Sequence, residues 1–217
     1  MPALAALAAL ATAARAMLPA TVAVATADPM AVAQIAWPGE TLPNAVLTRQ
    51  REFAAGRSAA RAALHQLGHP ATALPMGPDR APIWPPGLTG SITHSATLCL
   101  VAVTHTANLV GVDLEPATPL SPDLWDVVLR PEEQAVLAGN PNAPFLAKLI
   151  FSAKEAAYKA QYARSRTLLD FDALQIVFAE NTFTARFTQN VPGYAIGATL
   201  IGRATTIQNH FLTIVSG

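Results

Sequence analysis

The stretch "LVGVDLEPATP", residues 109–119, decides the reading of this chain. It opens as a short apolar run of the kind that forms a buried strand and is closed by Pro116. At the end of that run the sequence places two acids, Asp113 and Glu115. Residues i and i+2 of a strand point to the same side, so the two carboxylates project together. Like charges held close drive one group toward protonation unless a cation intervenes. Hard oxygen ligands, completed by water and substrate phosphates, are what Mg2+ requires. By itself the D-x-E pair is a weak signal, shared with surface acids and salt bridges.

The groups that could answer the acids lie downstream in "KLIFSAKEAAYKA", residues 148–160. Steps of four, seven and eleven residues return to nearly the same face of a helix, so Lys148, Ser152, Glu155 and Lys159 form one polar stripe. Leu149, Ile150, Ala153 and Ala157 supply packing positions on the other side. A glutamate between lysines reads as an exposed ion-pair ladder. It reads equally as a base or metal ligand inside a cationic clamp, and periodicity does not choose.

Working outward, the alanine-rich start, residues 1–20, has the small-residue spacing of a secretory leader but lacks a basic leading segment and carries Arg15. A helix packed on the domain is expected there. "TVAVAT" (21–26) reads as a strand, and a long helix is expected from Pro43 to a C-terminal cap at Gly68. Arg57 and Arg61 share a face of that helix; composition alone makes them a solvated face. "GPDRAPIWPPGLTG" (77–90) is an extended, shaped loop. "SITHSATLCLVAVTH" leads into a strand, and "LVGVDLE" is expected as its hairpin neighbour after a turn at Ala107-Asn108. Short helices at "SPDLWDVVL" and "PEEQAVLA" follow, with the acids of the second expected as dipole partners of its first turn. A helix over 143–163 and a run of antiparallel strands complete the chain. The class is α+β, with two similar, pseudo-twofold lobes, 1–108 and 109–217, each a small mainly antiparallel sheet with packed helices.

Composition narrows the function. Over 217 residues the formal net charge is zero, which argues against wholesale nucleic-acid binding. No apolar run approaches the roughly 20 residues of a membrane span. The single cysteine, Cys99, lies in an apolar run and forbids an internal disulfide, so a reducing, cytoplasmic setting and a packing role are expected. His65, His69, His105 and His210 have no acid or cysteine at ligand spacing, and Trp84 and Trp125 read as packing groups. No phosphate-binding glycine loop, dinucleotide fingerprint or nucleophile elbow is present.

"GVDLEP" (111–116) followed by "FSAKEAAYKA" (151–160) resembles the signature pair of the 4′-phosphopantetheinyl transferases, the enzymes that prime carrier proteins. "REFAAGRSAAR" (51–61) and "RAPIWPPGLTGSITHS" (80–95) extend the likeness to the branch of enterobactin-synthetase component D and its surfactin-type relatives, enzymes of siderophore and secondary-metabolite biosynthesis. The resemblance covers residues 20–180, in order and at family spacing.

That resemblance implies a monomer that transfers the phosphopantetheine arm of coenzyme A to a serine of an apo acyl or peptidyl carrier protein, releasing 3′,5′-ADP. It places Asp113, Glu115 and Glu155 around a Mg2+ on the coenzyme A pyrophosphate, with Glu155 as general base. It puts Lys154 and Lys159 in the family's lysine positions, Lys159 being the better pyrophosphate contact. Arg57 and Arg80, with Arg61 weaker, fall where the family sets cations near the 3′-phosphate. His94 matches a phosphate-binding histidine, preceded here by Thr93 where the family has serine. The first lobe would then grip the nucleotide and the second carry metal and catalytic helix. Two other readings stay open: a non-catalytic coenzyme A-binding adaptor for carrier proteins, and a metal-dependent pyrophosphohydrolase.

Overall fold

The computed structural model describes residues 2–31, 37–42, 44–106 and 108–217. Pro43, the expected helix start, and Ala107 of the expected turn lie outside the described residues. The chain divides into two compact units, Met1–Val110 and Gly111–Gly217.

In the first unit the alanine-rich start is helix α1 (Pro2–Met17). It is tied to strand β1 (Ala23–Ala27), with Arg15 donating to the Val24 carbonyl at 3.1 Å and Thr26 to that of Leu7 at 3.4 Å. Helix α2 (Leu47–Gln66) follows, then β2 (Leu88–His94) and β3 (Cys99–His105). The strands form an antiparallel sheet in the order β1-β3-β2, with Ala25 opposite Val101 and Gly90 opposite Val103. Six of the seven residues of β3 are buried, as its central place requires. The helix can lie close because its inner face is small: Ala55, Ala59, Ala60 and Ala63 pack on Ala23, Ala25, Cys99 and Val101. Helix α2 closes as expected at Gly68, whose φ is +73°. There Gly68 N–H donates to His65 O at 3.0 Å and His69 N–H to Leu64 O at 3.1 Å, the paired bonds of a glycine cap.

The proline-rich loop is shaped by its own backbone: Gly77 donates to Ala81 O at 2.8 Å and Ile83 to Pro75 O at 2.9 Å. Arg80 sits at its tip with φ +66°. Trp84 packs, as expected, with its indole against Gly90, where any added Cβ would come within 2.7 Å of the ring.

The second unit is built on a five-stranded antiparallel sheet in the order β4-β8-β7-β6-β5. Its strands are β4 (Val110–Pro116), β5 (Leu174–Ala179), β6 (Thr182–Phe187), β7 (Thr199–Ile207) and β8 (His210–Ser216). The residues "LVGVDLE" therefore pair with the last strand of the chain, not with β3 as the hairpin expectation had it. Strand β4 finds its partner about a hundred residues later in the chain. Short helices α3 (Trp125–Val128) and α4 (Pro131–Leu137) precede the long α5 (Ala143–Ser165). Along β6 inward Phe183, Ala185 and Phe187 alternate with exposed threonines and Arg186.

Gly111 sets the distance between β4 and α5. A Cβ there would lie 2.0 Å from the Ala156 carbonyl oxygen and 2.6 Å from the Ala160 nitrogen, so only glycine permits this approach. The close contact brings the next inward residue of β4, Asp113, against the polar stripe of α5.

Candidate active site

Asp113 is 3% exposed, and both its oxygens are engaged by α5. Lys159 Nζ donates to Oδ1 at 2.6 Å, and Ser152 Oγ donates to Oδ2 at 2.9 Å. Glu115, one strand step further out, is paired with Lys148. The four residues of the predicted stripe thus face the two acids of β4, and the choice left open by periodicity falls against a solvent-exposed ladder.

Glu155 lies between Ser152 and Lys159 on the same helix. It is half-buried, and among the described residues its carboxylate makes no hydrogen bond and no ion pair. Burial pushes its carboxyl above the ordinary value; Lys159 opposes that rise, and the charges of Asp113 and Glu115 add to it. Lys159 answers in the opposite sense. Burial alone would lower its pKa, but the charges of Asp113, Glu155 and Glu115 together raise it, so the ammonium is firmly protonated.

The three carboxylates expected as metal ligands are neighbours, yet they do not close on one point. Among the described residues no group of three or more acidic, histidine or cysteine side chains is placed to hold a metal. Lysines occupy Asp113 and Glu115 because an ammonium is the nearest available counter-charge. The donor set still fits a hard divalent cation: it is all oxygen, and three carboxylates against Lys148 and Lys159 leave one negative charge in excess.

Lys154 takes a different place on α5. It is 1% exposed and points away from the stripe, donating to the carbonyls of Val128 at 2.7 Å and Phe171 at 2.9 Å and pairing with Glu133 at 2.7 Å. With every ammonium proton committed to an internal acceptor, it has none to offer a ligand. Glu133, expected only as a dipole partner, is the buried anion of that pair.

In the first unit, Arg57 is 4% exposed; its Nε donates to the Leu74 carbonyl at 2.7 Å, and its guanidinium lies 4.1 Å over the Phe53 ring. Burial pulls its pKa down to about 10, against the charge of Glu40. Arg61 is answered internally: it pairs with Glu40 at 2.5 Å and stacks 4.6 Å over Trp37. Glu40, missed by the sequence reading, also accepts from the Leu74 nitrogen at 2.8 Å and is 1% exposed. Arg61 therefore belongs to an internal ion pair. Arg80 is exposed at its loop tip. Thr93 is buried at the end of β2. His94 contacts Arg49 through Nε2 and faces Glu52 across 3.5 Å from Nδ1. Arg49 and Glu52 were not singled out; their spacing from one another, three residues on α2, was the available signal.

Residues 38–104 match the model of the 4′-phosphopantetheinyl transferase N-terminal domain, and residues 109–212 match that of the 4′-phosphopantetheinyl transferase superfamily. The chain is 32% identical over 184 residues to 4′-phosphopantetheinyl transferase PptT of Mycobacterium tuberculosis, covering 82% of this chain and 80% of that protein. The chain belongs to the 4′-phosphopantetheinyl transferase superfamily. Within it, the chain is 37% identical over 139 residues to 4′-phosphopantetheinyl transferase Npt of Nocardia iowensis, covering 63% of each. It is 38% identical over 144 residues to enterobactin synthase component D of Salmonella typhi, covering 63% of this chain and 58% of that protein. The chain thus spans less than two thirds of the length of these last two relatives. Among the described residues no helix is long and apolar enough to cross a membrane.

Proposed function

We propose that this member of the superfamily transfers the 4′-phosphopantetheine arm of coenzyme A to a serine of an apo acyl or peptidyl carrier protein. The observation that carries this reading is Glu155, a half-buried carboxylate with no hydrogen-bond partner among the described residues, set between a protonated Lys159 and two further acids. A carboxylate kept without a donor and raised toward neutrality is suited to take a proton.

The carrier serine oxygen attacks the β-phosphorus of coenzyme A. The bond from that phosphorus to the bridging oxygen breaks, 3′,5′-ADP leaves with the electron pair, and the serine proton passes to Glu155. Phosphoryl transfer asks a protein mainly for positioning and charge neutralisation. Lys159, held by Asp113, supplies a fixed positive charge for the pyrophosphate. Mg2+, bound by Asp113, Glu115 and Glu155, would neutralise the remaining phosphate charge. Arg57, Arg80, Thr93 and His94 of the first unit are the proposed grip on the nucleotide, Arg80 by its exposure and Arg57 as a buried cation, with Arg61 the weaker candidate. The protein is read as a cytoplasmic monomer.

Intact-protein mass spectrometry of apo carrier proteins incubated with this chain, coenzyme A and Mg2+ tests the reading. A gain equal to one phosphopantetheine, abolished by EDTA, is expected. Hydrolysed coenzyme A without carrier modification would point to the pyrophosphohydrolase, and coenzyme A binding with neither product to the adaptor.

A further inference from the structure

Behind Asp113 stands a pair of hydroxyls that the proposed chemistry does not touch directly. Ser152 is fully buried, and next to it lies Thr213 of β8, also fully buried. Thr213 Oγ1 is 2.8 Å from Ser152 Oγ and 2.9 Å from the Ser152 carbonyl oxygen. Strand β8 is the sheet neighbour of β4, so the strand beside Asp113 reaches across to the helix that faces it.

Two hydroxyls bring two protons to three contacts. An ionised carboxylate only accepts, so the Ser152 proton goes to Asp113 Oδ2. The Thr213 proton is then left for Ser152 itself, on its hydroxyl or its carbonyl. Thr213 thus holds Ser152 in place, and Ser152 holds Asp113. Lys159 holds the other oxygen through a long side chain that is 25% exposed. The serine is short and walled in.

We infer that Ser152 and Thr213 are positioning residues of the transfer site: they fix the orientation of the Asp113 carboxylate that would hold a divalent cation. The inference rests on the proposed reading of Asp113 as a metal ligand. Groups that orient a metal ligand through hydrogen bonds are worth roughly 10- to 100-fold in metal affinity.

The test uses Mn2+ as the probe, with its binding to the full chain in the presence of coenzyme A followed by electron paramagnetic resonance. Thr213→Val keeps the shape and removes the hydroxyl, while Thr213→Ser keeps the hydroxyl and removes a methyl. T213V and Ser152→Ala are expected to weaken Mn2+ binding about tenfold or more, whereas T213S stays close to the parent. Circular dichroism checks folding, and S152A carries the same expectation if T213V does not fold. Unchanged affinity in T213V and S152A overturns the inference and leaves the transferase reading standing. So does a loss in T213S equal to that in T213V, which would make the effect one of packing. A parent chain that binds no Mn2+ overturns the metal assignment and this inference with it, while the carrier mass gain reports separately on the transfer.

Discussion

The Lys154 ammonium lies 2.7 Å from Glu133 Oε2, and neither side chain is more than 2% exposed. Glu133 also accepts from the backbone nitrogens of Arg130 at 2.8 Å and Ile176 at 2.7 Å, so one carboxylate ties the start of α4 to β5 while its partner anchors α5. Burial pulls the Lys154 pKa down, and the hydrogen bond and charge of Glu133 work against it. Removing one member of such a pair strands the other as an uncompensated buried charge. Lys154→Ala should therefore cost about 3–5 kcal/mol in urea unfolding. Coenzyme A affinity of the folded fraction should not change, since the Lys154 ammonium is bonded to Val128, Phe171 and Glu133. A variant replacing both members by apolar residues, Lys154→Met with Glu133→Leu, should recover only part of the loss, because the amides of Arg130 and Ile176 lose their acceptor.

Gly111→Ala tests the close approach of β4 to α5. With the Ala156 carbonyl oxygen 2.0 Å from the added Cβ, and backbone as the obstacle, strand and helix must separate. Overpacking costs typically 1–3 kcal/mol, and backbone obstruction places this case at or above the upper end. Thermal melting should show a clear loss of stability. Separation also draws Asp113 away from Ser152 and Lys159, so turnover should fall further than stability alone explains.

Much of this was legible in the sequence because local pattern carries it. The polar stripe of α5 follows from helix periodicity, and Asp113 with Glu115 follows from strand alternation. The Gly68 cap and the packing of Trp84 follow from local chemistry of the same kind. What was missed depends on contacts distant in sequence. The pairing of β4 with β8 joins segments a hundred residues apart, and nothing in "LVGVDLE" distinguishes that partner from the nearer β3. Thr213 lies in an apolar run and reads as an ordinary strand residue until its hydroxyl is seen against Ser152. Glu40 carries no local signal for its role between Arg61 and the Leu74 amide. The partner of Lys154 was hidden for a different reason: one residue before Glu155 it lies about 100° away around the helix, and only the tertiary structure shows the buried Glu133 there.

Cys99 offers a simple check on the first unit. It is fully buried at the end of β3, and burial pushes its thiol up to about 12, with the Arg57 charge pulling weakly the other way. The thiolate is the reactive form, so the native protein should resist iodoacetamide at pH 8 for as long as it stays folded. Denatured protein should be alkylated at once, as mass spectrometry would show. Rapid labelling of the native state would mean that the packing of α2 on the sheet opens readily.

Glu155 carries the most direct prediction, because its two properties pull in opposite directions. Burial, reinforced by Asp113 and Glu115 and opposed by Lys159, raises its carboxyl above the ordinary value of 4.5. A raised value in the folded state means that the folded chain holds this proton more tightly than the unfolded one. The stability this group contributes is thus present at acid pH and is lost as pH rises through the raised value. Glutamine imitates the protonated form at every pH. Glu155→Gln should therefore melt higher than the parent at neutral pH, and the difference should vanish at pH values below the ordinary carboxyl range. Turnover should move the other way, falling by about 10²–10⁴, the usual worth of a general base, while coenzyme A still binds. A Glu155→Gln variant that turned over at the parent rate would show that the serine proton leaves by another route.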